Sequence, residues 1–192
     1  MNAKSLCGYI LALLAAPLLV GVISRTKAVF AGRHGPPLLQ LYHDLFKLLR
    51  KGAVYSRTTT WVFRAGPTLS LAAVLLALLF LPQGGLPAVL VFDGDFLVLV
   101  YLLGLMRFVT VLAALDTGSS FEGMGGSREV QISALAEPAL LLGFAAMARL
   151  TEAVSLSGIC NSLPVAEWTG SGIAVALVVA AWFGVFLAEN SR

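Results

Sequence analysis

The chain has 192 residues, of which 58% are hydrophobic and 12% charged, with a formal net charge of +3. Typical soluble domains carry roughly 45–50% apolar and about 25% charged residues. A mean hydropathy of +0.89 therefore excludes a soluble domain and implies an all-α integral membrane protein.

The first apolar run is Ser5 to Ser24, uncharged between Lys4 and Arg25. Twenty residues are about what one span needs. A secretory signal would have a shorter apolar core, roughly 7–15 residues, with its positives on the N-terminal side. Here Arg25 and Lys27 follow the run. The run is expected to be a retained span with the N-terminus outside.

Residues 37–51, within GRHGPPLLQLYHDLFKLLRK, come next. Pro36 and Pro37 suit the start of a helix. Leu38, Leu41, Tyr42, Leu45, Leu48 and Leu49 then recur at helical spacing, while Gln40, His43, Asp44, Lys47 and Lys51 share the opposite side. The charges forbid a span, so an amphipathic helix in the cytoplasmic interface is expected. With its apolar face down, the helix is expected to be a plain surface anchor or to offer a docking face for a soluble partner, and Asp44 is expected to pair with Lys47 at i, i+3.

Further spans are expected at about 65–81, 96–115, 132–150 and 171–188. With the first at about 5–24 they make five, in a single membrane domain over 1–192. The connections holding Asp93 and Asp95, and Glu152 and Glu167, have no basic residue and are placed outside. Ten of the thirteen Lys and Arg residues then fall inside, and the C-terminus is cytoplasmic. Eight of the thirteen crowd Arg25 to Arg64 between membrane segments, which argues against a nucleic-acid partner. Cys7 and Cys160 are far apart in sequence and sit in no metal or disulfide spacing.

Two charges lie inside expected spans. Arg107 is eight residues before the inner end of the third, and Glu137 about six residues into the fourth. The two spans run antiparallel across a short loop, so both groups sit roughly 9–12 Å below the same face. Pairing would lower the desolvation cost of each. The stretch between them, DTGSSFEGMGGSREVQ, reads as a glycine-rich cytoplasmic loop carrying Asp116, Glu122, Arg128 and Glu129. GMGG is no dinucleotide fingerprint, since no strand precedes it and the spacing is wrong. No catalytic set, phosphate loop or metal cluster is visible. Buried charges can relay protons, hold a polar head group or dock a subunit. A structural ion pair is the plain alternative.

GRHGPPLLQLYHDLFKLL, LDTGSSFEGMGGSREVQISALAEPALLLG and the final AENSR together resemble the complex I membrane subunit 1 family (NADH dehydrogenase subunit 1). The likeness is closer to its hydrogenase branch, the membrane subunits of formate hydrogenlyase and hydrogenase-4-type group 4 [NiFe] hydrogenases. The resemblance implies a non-catalytic subunit of the inner (cytoplasmic) membrane that anchors a soluble electron-transfer arm to antiporter-like, proton-translocating membrane subunits. It implies no cofactor in this chain, iron–sulfur and [NiFe] centres in the soluble partners, and a quinone as a candidate ligand. Arg128 and Glu137 match the family's arginine and helix-four glutamate. Asp44 and Lys47 match its amphipathic-helix pair, and Glu189 and Arg192 its motif after the fifth span. Family members continue with an acid-rich loop and further spans, so the chain reads as a fragment, a truncated product or a shortened relative.

Glu137, Arg107 and Glu189 are thus candidates for a proton path. Asp44, Lys47, Asp116, Glu122, Arg128 and Glu129 are candidates for subunit contact. A stand-alone transporter with its site at Glu137 and Arg107, and a purely structural anchor, are the alternatives; no inverted repeat favours the transporter.

Overall fold

Long uncharged runs leave the backbone one way to satisfy its polar groups in lipid, as continuous helix. A computed structural model describes residues 3–162 and 168–190 and is helical throughout its long elements. In order they are α1 (Ala3–Phe30), α2 (Gln40–Leu49), α3 (Trp61–Leu79), α4 (Asp95–Asp116), α5 (Ser120–Thr151), α6 (Leu156–Asn161) and α7 (Trp168–Asn190). Among the described residues α1, α3, α4 and α5 are long and apolar enough to cross a membrane. Gly172–Ala188, within α7, is a shorter apolar stretch. The protein is accordingly a multi-pass, all-helical membrane protein.

The chain divides into two units, Asn2–Tyr55 and Ser56–Arg192. In the first, α1 continues past the uncharged run through Arg25 and Lys27. Basic side chains suit the last turn because they face its unpaired carbonyls. α2 starts at Gln40, later than the double proline suggests, after a turn closed by Gln40 N–H to the Pro37 carbonyl. Tyr42 on α2 donates its hydroxyl to the Leu14 carbonyl of α1. Gly21 lets the chain at Leu38 close in; a β-carbon there would run into the Leu38 carbonyl. Large apolar side chains of α2 stay uncovered, Leu49 at 84% exposure, as befits a helix lying on an interface.

In the second unit α3 packs on α4, α4 on α5, and α5 on both α6 and α7. Thr60 caps α3 in an extended conformation, so the helix starts before Arg64 rather than after it. Gly84 and Gly85, at φ +57° and +78°, turn the chain beyond α3. A core of Ala77, Phe80, Phe96, Leu99 and Leu156 ties α3, α4 and α6. An aromatic line, Phe96 to Phe144 (6.0 Å) and Phe144 to Trp182 (4.9 Å), runs on to α7.

The expected cytoplasmic loop over 116–131 is mostly helix. Only Thr117–Ser119 separates α4 from α5, and α5 runs unbroken for 32 residues. The glycines at 123, 125 and 126 each cost about 1 kcal/mol against alanine in a helix. Three features offset them. Ser119 starts the helix from an extended conformation and Glu122 sits in its first turn, where an acid complements the dipole. The turns extend a helix already nucleated by the apolar run after Ile132. Gly126 is also buried, with the Val111 side chain 3.7 Å from where a β-carbon would stand.

Candidate functional site

The two spans that the sequence loads with charge lie side by side. Arg107 on α4 and Glu137 on α5 form an ion pair, Nη1 to Oε1 at 3.2 Å. Their side chains are 11% and 34% exposed. Position 107 is twelve residues from the start of α4, so the pair sits well inside a span. Pro138 follows Glu137 and has no N–H, which denies the Ala134 carbonyl its i+4 donor.

A groove of about 680 Å³ opens beside the pair. Leu105, Phe108, Leu112 and Leu115 form its apolar wall, and Tyr101, Ser133, Arg107 and Glu137 supply its polar atoms. Gly104 also lines it, directly under the Glu137 carboxylate. Charges are costly at membrane depth and mark functional sites by default. This arrangement can hold a carboxylate in a fixed place, with one oxygen on a guanidinium and the other at a groove wall.

The remaining candidates lie elsewhere. Asp116 ends α4 and caps α3: its carboxylate accepts from Thr60 N–H and Thr60 Oγ1, both at 2.7 Å, and from Phe63 N–H at 3.2 Å. Those three bonds satisfy N–H and O–H donors at the start of α3 that the helix itself leaves unpaired. Replacing Asp116 by Ala is expected to destabilise the α3–α4 pair, read as a lowered unfolding midpoint in micelles, with Asp116→Asn losing less.

Glu122 and Glu129 line a smaller groove of about 240 Å³ with Thr110 and Gly126. Arg128 and Glu129 flank a further hollow. Neither group is brought to Glu137. On α2, Asp44 accepts from Gln40 Nε2 at 3.3 Å, and the expected Asp44–Lys47 pair does not form among the described residues. The i, i+4 geometry places Gln40 over Asp44, whereas Lys47 projects into the open and is exposed. The side chain of Glu189, and Arg192, fall outside the described residues. Among the described residues no three His, Cys, Asp or Glu side chains gather as a metal-ligand set.

One buried acid was not singled out in the sequence. Asp95, at the first turn of α4, is 0% exposed. Its Oδ1 accepts from Leu156 N–H at 2.7 Å, fastening α6 onto α4. Gly94 N–H to the Val154 carbonyl and Ala88 N–H to Ser157 Oγ complete that junction. The local signal was slight: an acid after a glycine at a helix start, beside the exposed Asp93.

Residues 4–192 match the family model described as NADH dehydrogenase. Formate hydrogenlyase subunit 4 of Escherichia coli (strain K12) is 36% identical over 148 residues, 77% of this chain and 48% of that protein. Hydrogenase-4 component C of the same organism is 31% identical over 178 residues, 93% of this chain and 56% of that protein. The chain thus spans about half the length of these curated relatives. A chain in the solved structure of the membrane-bound sulfane sulfur reductase, an archaeal respiratory membrane complex, has the same fold. The TM-score is 0.83 at 24% identity, over 96% of this chain and 60% of that one.

Proposed function

The chain belongs to the NADH dehydrogenase family, and on that premise we propose that it is a membrane-anchor subunit of a hydrogenase or complex I-like oxidoreductase. In this reading it links a soluble electron-transfer arm to proton-translocating membrane subunits in the inner (cytoplasmic) membrane. The names of its two curated relatives support the hydrogenase branch. In this reading iron–sulfur and nickel–iron centres belong to the soluble partners.

The observation that carries the reading is the Arg107–Glu137 pair, 3.2 Å apart inside two neighbouring candidate spans. A carboxylate held there by a guanidinium has the chemistry of a proton-path group. Glu137 carries the proton in this proposal, Arg107 fixes its carboxylate, and Glu189 is placed further along the path. Asp44 and Lys47 on α2 are proposed contacts for the soluble arm, as are Glu122, Arg128 and Glu129 at the start of α5. Asp116 serves these contacts by holding the α3–α4 end in place. The N-terminus lies outside and the C-terminus in the cytoplasm, as the distribution of Lys and Arg directs.

Affinity purification of the tagged chain from native membranes tests the reading. Soluble subunits containing nickel and iron–sulfur centres are expected to co-purify. Substrate transport by the purified chain in vesicles, with no such partners retained, would overturn it in favour of a stand-alone transporter.

A further inference from the structure

Glycine is a poor residue for the interior of a helix, so one that faces a neighbouring helix is informative. In the second unit four such glycines, Gly66, Gly104, Gly126 and Gly143, face side chains of neighbouring helices. A β-carbon at Gly66 would stand 3.0 Å from the Ala113 methyl group, and one at Gly143 would collide with the Trp182 indole. Those two admit close apolar packing. At Gly104 the neighbour is the Glu137 carboxylate, with Oε2 at 3.1 Å, Cδ at 3.4 Å and Oε1 at 3.5 Å from the built β-carbon position. Among the described helical glycines, only Gly104 meets the charged group of an ionisable side chain.

Gly104 and Arg107 are three residues apart on α4 and therefore share a face. That face receives the carboxylate at two points. Arg107 Nη1 holds Oε1, and the bare Gly104 backbone gives Oε2 room at the groove wall. We propose that Gly104 is a positioning residue for Glu137, seating the carboxylate so that Arg107 can hold it while Oε2 stays at the groove. The proposal rests on the reading of Glu137 as a proton-path group.

A methyl at position 104 would stand 3.1 Å from Oε2, so the carboxylate would have to give by a few tenths of an ångström. Arg107 shares that face, so a carboxylate displaced from position 104 must re-seat against Nη1. At 3.2 Å that contact is already at the long end of the N–H···O range, about 2.7–3.2 Å, and a further few tenths of an ångström would weaken it.

The test uses the complex assembled in its own membranes, with protons moved per electron pair as the readout. Gly104→Ala is expected to lower that ratio while electron transfer continues. In a Glu137→Gln background, where the acid is already gone, Gly104→Ala is expected to lower it no further. Gly66→Ala, a packing control on α3, is expected to leave the ratio unchanged. An unaltered ratio in Gly104→Ala, with Glu137→Gln itself impaired, overturns the positioning role and leaves the reading of Glu137 intact. An unaltered ratio in Glu137→Gln overturns the reading itself. A further loss in the double variant marks a general packing defect and overturns the proposal. If Gly104→Ala assembles poorly, the amount of complex decides. Truncating Glu137 to Ala removes the atoms the methyl meets, so Gly104→Ala/Glu137→Ala is expected to assemble as well as Glu137→Ala alone, and a persisting extra defect overturns the proposal.

Discussion

Replacing Arg107 by methionine is expected to lower the stability of the α4–α5 pair by about 3 kcal/mol, near the lower end of the range for removing one partner of a buried ion pair. The loss is not the energy of the 3.2 Å contact. It is the cost of leaving the Glu137 carboxylate at span depth with no guanidinium against it. Glu137 is 34% exposed along the groove, and partial access to a polar environment tempers the loss. Replacing both groups, as Arg107→Met/Glu137→Leu, is expected to recover most of the stability, because two apolar side chains of similar size need no desolvation. Unfolding midpoints in mixed micelles check each step. Additive losses from the two substitutions would show that the groups do not depend on each other.

The pair was within reach of the sequence because it rests on counting. Eight residues from one span end and about six from the next give similar depths when the helices are antiparallel and the link is short. The structure moves the ends of that count: α5 begins at Ser120 rather than near 132, so Glu137 lies seventeen residues into its helix while Arg107 lies nine from the end of α4, and the pair forms although the counted depths differ. Glycine content misled the reading of 116–131, because propensity is a local quantity and the continuity of a long apolar helix overrode it. Asp116 was visible as an acid at a span end. Its partner, the start of α3, is 56 residues away in the chain, a distance that no spacing rule covers. Asp95 failed for the same reason, since the N–H it caps lies 61 residues on. Gly104 shows the limit most plainly. One glycine among apolar residues carries no sign that a carboxylate from another helix lies over it.

Replacing Glu137 by glutamine is expected to uncouple proton movement from electron transfer while leaving the complex assembled. Glutamine keeps the length of the side chain and a carbonyl oxygen that can still accept from Arg107. The α4–α5 contact and the space over Gly104 therefore stay filled. What disappears is the ionisable group, and with it any proton taken up and released at that point. Arg107 loses its counter-charge, a smaller disturbance than a stranded carboxylate because it keeps a hydrogen bond and can reach toward the interface along its flexible stem. Two readouts separate the roles. A purely structural pair predicts a lower unfolding midpoint with the same number of protons moved per electron. A proton-path acid predicts the reverse, near-normal assembly and electron transfer with proton movement strongly reduced. Acidification of inverted membrane vesicles, measured against electron flow in the same sample, distinguishes them. Undiminished proton movement in Glu137→Gln would remove the acid from the path and leave the pair as a strut between two spans.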